Sequence, residues 1–538
     1  MSPALRLLLD PVRFVVSQLY RMGQIGWHWQ FDNPLTYVGT TYMYQDTAGT
    51  TPVTAVGQGI GLLLGREYGG VRLADAKATG AIGLLGAATA ATYNTSTGAG
   101  TVTRVDGSNQ SYVGFTGVST QKLFEFSITN SSAASLFVRP TGFGTGVLTI
   151  TAGQTLIGFV SGSANYYLTG AGGGTQSFTI NSFREVPGTH LIQATGTAKP
   201  TLSARVNWMT ATELLDTWTK TGTAPTVTDG YVIGGGDTTP VSRLVFSASG
   251  SGNRISKTAS GYPTSGGLTV PGRVLVRMKG AVGGEQIRIW NGWSTVNQTV
   301  TLTTDWQDFD IADAGGNSST GLLLYAVSGT PTVYVRGVDI RTSDDAAKNI
   351  PAYQRVGATA ADHDTDGFPH GVYPDGTDDS GTTAVGGGNT TGFFYCGALT
   401  VSGGAGAART IWSDTGTNTG YRVRINSSNK LELAAGNGSA YTTVQSNETI
   451  TAPGTYLLSA WDDGGVLAVQ VNNLAPATTT RPTVSAGTAA ITAYKDNGAA
   501  SSYFNGRDYG SVYRQQYPGE TAHNRIKRYL ANVARITV

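Results

Sequence analysis

From Tyr42 onward the chain runs in short stretches of threonine, valine, tyrosine and phenylalanine, broken at close intervals by Gly, Asn, Ser or Pro. Runs of this length between turn residues are β-strands, because a helix needs an unbroken 3.6-residue stripe and a strand needs only alternation. KLFEFSITN shows the period directly. Leu123, Glu125 and Ser127 fall on one face and Phe124, Phe126 and Ile128 on the other, which is a sheet with one buried side. Composition agrees: 75 of 538 residues are glycine, about twice the usual share of about 7%, and charged residues are 13% against about 25%. The expected class is all-β, a row of antiparallel β-sandwiches of jelly-roll type.

At roughly 150 residues per domain, a chain of this length holds three or four units. A first sandwich is expected over 82–190 and a second over 207–343. Their endings are alike. GGTQSFTINSFREVP from Gly173 and SGTPTVYVRGVDIRT from Ser328 both run turn, strand, break, strand, and threonine-rich VLTITAG and VTLTTDW lie upstream of them. A duplicated fold is expected on that ground. A third all-β unit spans 352–538 and closes with ETAHNRIKRYLANVA, where Ile526, Tyr529, Leu530 and Val533 keep helical spacing. Arg525, Lys527 and Arg528 read as the solvated side of that short C-terminal helix.

Residues 1–41 stand apart. Leu5, Leu8, Leu9, Val12, Val15, Val16 and Leu19 recur at spacings of three and four, and Pro11 suits the start of a helix that Gly23 and Gly26 end. This stripe is read as a docking or oligomerisation segment, packed on its own first domain, on sister copies or on a larger particle. No cleavage pattern follows it and no stretch reaches the roughly 20 apolar residues of a membrane span, so no membrane insertion is expected.

Several chemistries lose their support. A formal charge of +2 gives no grip on nucleic acid. The single cysteine, Cys396, forms no internal disulfide and suits synthesis in a reducing cytoplasm. The last unit has three glutamates, Glu432, Glu448 and Glu520, without the E-x-D-x-x-E strand of hydrolytic relatives, and G-x-S-x-G, H-E-x-x-H and Gly-Lys-Ser/Thr motifs are missing. No enzyme activity and no cofactor are expected, with one exception to weigh. Asp362, Asp364, Asp366, Asp375, Asp378 and Asp379 form a dense acidic stretch with oxygen ligands suited to calcium, although turns use the same residues. His363 and His370 within it are poor transition-metal candidates.

Sugar recognition calls for exposed aromatic faces with polar neighbours. In QIRIWNGW, Ile287 and Ile289 share one strand face and Arg288 and Trp290 the other, with Asn291 and Trp293 at the following turn. Arg288, Trp290, Asn291 and Trp293 are therefore the glycan-binding candidates, the alternative being that a tryptophan closes the end of the sandwich. Trp306, Trp412 and Trp461 lie in or beside apolar strands and are expected in the core.

YMYQDTAGTTPVTAVGQGIGLLL, Tyr42–Leu64, resembles a stretch near the start of structural proteins of tailed bacteriophages, and its usual continuation resembles GTHLIQATGTAKPTLSARVNWMTATELL, here at Gly188–Leu215. Residues 42–81 are thus read as a phage-type connector and 191–206 as its return, the first sandwich being an insertion between them. TDWQDFDI (Thr304–Ile311) and YVRGVDIR (Tyr334–Arg341) resemble jelly-roll carbohydrate-binding modules. TGYRVRINSSNKLELAAGNGSAYTTV from Thr419, PGTYLLSAWDDGGVLAVQVNN from Pro453 and SSYFNGRDYGSVYR from Ser501 resemble concanavalin-like or laminin-G-like lectin domains. These resemblances imply a virion structural protein, a tail fibre or baseplate part made in the host cytoplasm, trimeric, touching other virion proteins and attaching to host-surface glycan or lipopolysaccharide. The alternatives are a capsid decoration or baseplate brace without sugar binding and, remotely, a polysaccharide depolymerase.

Overall fold

The computed structural model of the chain describes residues 26–30, 43–55, 57–64, 81–85, 91–105, 110–116, 123–139, 148–161, 165–186, 190–193, 195–234, 237–265, 268–291, 296–383, 387–402, 407–488, 490–496 and 502–537. The stripe from Leu5 to Leu19 lies outside them. The architecture is all-β, in tandem antiparallel sandwiches, with one long helix at Glu520–Ala534 among the described residues.

The first unit packs two sheets around a core of Phe115, Phe126, Ile128, Leu168 and Ile180. One sheet runs Leu148–Ile150, Leu136–Arg139, Asn165–Gly170, Gln110–Thr116, with Ala81–Leu85 alongside the last; the other runs Ala91–Tyr93, Ala99–Arg104, Gly174–Val186, Leu123–Asn130, Thr155–Ser161. Between Ala99–Arg104 and Gln110–Thr116 they join at a single residue pair, Arg104 opposite Gln110. The second unit has the same plan: Asn297–Thr301, Gln286–Trp290, Gly321–Ala326, Arg254–Thr258, Thr219–Thr221 face Thr226–Tyr231, Val241–Val245, Thr332–Thr342, Gly272–Gly280, Gln307–Asp313. Counted along the chain, with the small Thr264–Thr269 hairpin left aside, both units order their strands seventh, sixth, ninth, fourth, first over second, third, tenth, fifth, eighth. Even the irregularity repeats. Each tenth strand carries a one-residue bulge, at Asn181 and at Arg336, and these occupy the same place in the two similar motifs. The duplicated fold expected from the sequence is present.

The third unit is completed by upstream chain. One of its sheets runs Ala477–Thr480, Val466–Val471, Gly454–Asp462, Phe393–Val401, Gly506–Arg514, Gly371–Tyr373 and then Thr201–Ser203, with Gly26–Gln30 laid along Gly510–Arg514. The facing sheet continues from Gly381–Thr383 into Leu191–Ile192, Leu62–Leu63 and Met43–Tyr44. Met43–Tyr44 and Leu62–Leu63 of the connector and Leu191–Ile192 and Thr201–Ser203 of its return are therefore strands of the last sandwich, and Leu62–Leu63 pairs directly with Leu191–Ile192 across the inserted first unit. A strand at Gly26–Gln30 follows the stretch expected to be helical, which lies outside the described residues.

The two inserted units dock differently on this sandwich. The first rests on an apolar cluster of Tyr44, Leu62, Leu64, Leu123, Phe159 and Val186, and Gly49, at positive φ, leaves room for the Phe159 ring. The second is held by buried polar groups. Asn207 donates to Val338 and Gln354 carbonyls at 2.9 and 2.8 Å and accepts from Ile340 N–H, while Asp339 takes Arg341 bidentately at 2.8 and 2.7 Å and the Gln354 N–H.

Trp412 and Trp461 are buried as expected. In the terminal helix Ile526, Tyr529 and Leu530 press on Phe394, Cys396 and Leu457, and His523 bonds Ser459 at 2.8 Å. Arg525 and Arg528 face solvent, but Lys527 is buried, its amine on Gln470 at 3.1 Å. No described helix is long and apolar enough to cross a membrane.

Candidate functional site

The outward face of the second unit's Thr332–Thr342 sheet carries a group of aromatic and cationic side chains. Alternation along Thr332–Thr342 sends Val333 and Val335 into the core and Tyr334 outward, and the neighbouring strands set Arg243 and Lys279 directly opposite Tyr334 on the same rung. Tyr231 lies nearly parallel to Tyr334 at 5.9 Å between ring centres, and the Arg243 guanidinium sits 4.9 Å from the Tyr231 ring.

Trp306 completes the group. It precedes the edge strand Gln307–Asp313 and stands half-buried, with Lys279 and Arg336 at 5.3 and 5.0 Å from its ring. The extra residue at the bulge is Arg336 itself, so the irregular backbone supplies one of these cations. Asp237, on the loop between Thr226–Tyr231 and Val241–Val245, accepts the Trp306 Nε1–H at 3.1 Å and an Arg336 N–H at 2.9 Å. The Trp306 N–H first, then the Thr239 backbone N–H and Arg336, hold the Asp237 carboxyl below its usual value. Three aromatic rings of fixed orientation thus share a face with three cations and a charged acceptor. The expectation that Trp306 is a core residue is corrected: the inward side chains of the strand it precedes are Phe309 and Ile311, and Trp306 belongs to the turn before it.

The sequence-derived glycan candidates divide. Arg288 and Trp290 do face outward on the opposite sheet, with Trp290 edge-on to Tyr325 at 6.5 Å and Arg288 fixed by Asn297 and Thr299 at 2.5 and 2.6 Å. Asn291 is buried, its backbone N–H on Val296, and Trp293 lies outside the described residues.

The six-aspartate calcium group does not form as one site. Asp362 and Asp364 pair with Arg355 at 3.0 and 3.1 Å, and Asp366 is exposed. Asp375, Asp378 and Asp379 do converge, with carboxylate oxygens within 4.8 Å of one another. Burial, with the charges of Asp375 and Asp378 beside it, raises Asp379 to about 6, against the Asp375 N–H bond that lowers it. Asp375 also accepts from Thr377 N–H, the bonding of a tight turn. His363 is buried, its Nδ1–H on the Ala360 carbonyl at 3.0 Å, and His370 is buried too.

No protein family matches the chain, and no curated protein does. Solved structures with partial likeness include the tandem CBM22-1–CBM22-2 domain of Paenibacillus barcinonensis Xyn10C, 15% identical over 51% of this chain and 98% of that one, at a TM-score of 0.24. Mouse laminin α1 domains LG4-5 are 10% identical over 50% of this chain and 92% of theirs, TM-score 0.24. A family 30 carbohydrate-binding module is 20% identical over 28% of this chain and 87% of its own, TM-score 0.17. The fold class rests on the sheets described above and not on these likenesses.

Proposed function

We propose that the protein is a non-enzymatic virion component of a tailed bacteriophage, of tail-fibre or baseplate type, which attaches to host-surface glycan through the Tyr231, Tyr334 and Trp306 face of its second unit. The observation that carries this reading is the oriented indole: Trp306 is fixed by Asp237 at its N–H and by two cations at its ring, on the outside of a rigid sheet. Sugars present C–H faces to flat rings and hydroxyls to charged neighbours, and this surface offers both. Hydrolysis would take two carboxyl groups across the scissile bond, whereas Asp237 is already engaged by Trp306, Thr239 and Arg336. The virion placement draws on the resemblance of 42–64 and 188–215 to phage proteins, supported by the pairing of Leu62–Leu63 with Leu191–Ile192. Weak single sites become effective in a homotrimer held at high local concentration.

A bacterial glycan array and host lipopolysaccharide, probed with the wild-type chain and with Trp306→Ala, test the reading. Retention by the wild type and loss by the variant are expected; retention unchanged by Trp306→Ala contradicts it. The second reading, a capsid decoration or brace without sugar affinity, is favoured by the threonine-covered outer face of the first unit's Gly174–Val186 sheet and predicts no retention by either chain.

A further inference from the structure

A cavity of about 250 Å³ lies where the connector, the approach to the second unit and the last sandwich meet. Its lining comes from distant parts of the chain: Thr201, Arg205 and Trp208 on and just beyond the return strand, His363 on the opening loop of the last unit, and Tyr373 and Arg507 on neighbouring strands. Sheet pairing brings them together, since Thr201 sits opposite Tyr373 and Val372 opposite Asp508. Gly371 is required there, because a Cβ would come within 2.6 Å of Arg507 Cγ, whose side chain crosses the strand at that point.

Three buried polar atoms of this cavity, Trp208 Nε1, His363 Nε2 and Arg507 Nε, lack a partner among the described residues. Arg205 is 8% exposed and bonds only backbone carbonyls, those of Asn207, Trp208 and Ser260 through Nε and Nη2, which leaves Nη1 without a partner. No carboxylate is bonded to it. Arg507 donates to Tyr509 and to the Arg205 carbonyl, and its Nε has no acceptor. The Trp208 Nε1–H is buried without an acceptor as well. His363 spends its Nδ1–H on Ala360, so its neutral ring presents Nε2 as a buried, unpartnered acceptor. Burial and then the Arg507 charge lower Arg205 to about 10, and burial lowers His363 to about 4, while Tyr509 and the nearby Asp345 raise Arg507 against its own burial. Arg205 without a bonded carboxylate and two buried donors without acceptors, the Trp208 Nε1–H and the Arg507 Nε–H, cost stability that an anion would restore.

We propose that this junction cavity binds a small hydroxylated carboxylate, the acid group of a uronic-acid sugar, with the carboxylate on Arg205, Arg507 and the Trp208 N–H and a sugar hydroxyl donating to His363 Nε2. The volume falls below that of drug-sized pockets, which suits a single sugar unit. Tyr373 and Trp208 supply apolar walls for its C–H faces. The site is separate from the Trp306 face and stands whether or not that face binds glycan.

The test is isothermal titration of the full chain with glucuronate, a glucuronate-terminated disaccharide, glucose and inorganic phosphate, with thermal melting of each mixture. Saturable binding of glucuronate and a raised melting temperature are expected, with no response to glucose. Binding of the disaccharide as well marks the end of a glycan as the source, and its exclusion marks the free acid. Arg205→Met should abolish binding. Because that variant also loses three backbone bonds, Trp208→Phe is measured beside it: it keeps an aromatic ring of smaller size, removes the indole N–H and should weaken glucuronate about tenfold. Thr129→Val, on the outer face of the first unit, should leave the titration unchanged. Absence of glucuronate binding, equal or tighter binding of glucose or phosphate, or undiminished affinity in Trp208→Phe overturns the proposal.

Discussion

The first and second units share ten strands, one strand order and a bulge at the same position, yet their outer faces have little in common. On the rung where the second unit sets Arg243, Tyr334 and Lys279 side by side, the first sets Ala99, Thr179 and Thr129. Around that rung lies a carpet of hydroxyls: Thr92 on Thr101 at 2.9 Å, Thr103 on Thr175 at 3.0 Å, Thr129 on Thr155 at 2.8 Å, and Asn181 on Thr129 at 3.0 Å. Where VTLTTDW ends in Trp306, VLTITAG ends in Gly153. The inward positions stay apolar in both units because the sandwich needs them, while the outward positions answer only to solvent or to a ligand. The second unit's face carries ordered rings and charges where the first unit's carries self-paired threonines.

Docking differs in parallel, and that difference breaks most sharply. Asp339→Ala strands the buried Arg341 charge and should destabilise the second unit by about 3–5 kcal/mol, read as an early transition in calorimetry. The counterpart in the first unit is apolar, and Val186→Ala should cost about 1.5–3 kcal/mol. Equal losses would remove the claim that one unit is pinned by ions and the other by packing. Next, Trp306→Ala should reduce glycan affinity at least about tenfold with melting almost unaltered; parallel losses in fold and binding would make the indole merely structural. Asp237→Asn keeps an acceptor for the indole and gives up the charge facing Arg336, so about a threefold loss is expected. Since the folded Asp237 pKa lies below the usual carboxylate value, this contribution is present above that value and disappears only as pH falls through the lower folded one. Binding that falls between pH 7 and 5 would assign control to another group. Smallest of all, Thr129→Val with Thr155→Val should change stability by no more than about 0.5 kcal/mol and leave binding alone.

The sequence shows the sheets well, because period two is a local signal: Phe124, Phe126 and Ile128 point inward as KLFEFSITN implies. It also shows the repeat, since the two tenth strands keep similar text around Asn181 and Arg336. Trp306 was misplaced for a physical reason. Its burial depends on Asp237, Lys279 and Arg336 coming from three other segments, and a turn residue beside a threonine-rich strand has no local mark of which way it folds. Trp290 was legible because it sits inside a strand between Ile289 and a turn. The six aspartates failed as a group because Arg355, close by in sequence, captures Asp362 and Asp364. The junction cavity had no signature at all, as Arg205, His363 and Arg507 meet only through pairings that span inserted units.

Amide hydrogen exchange on the full chain, with and without a saturating host glycan, bears most directly on the account. Slowed exchange should map to Val241–Val245, Thr332–Thr342 and the Trp306 turn, with Gly174–Val186 and Leu123–Asn130 of the first unit unchanged. Protection that falls instead on the threonine face of the first unit, or nowhere, would contradict it.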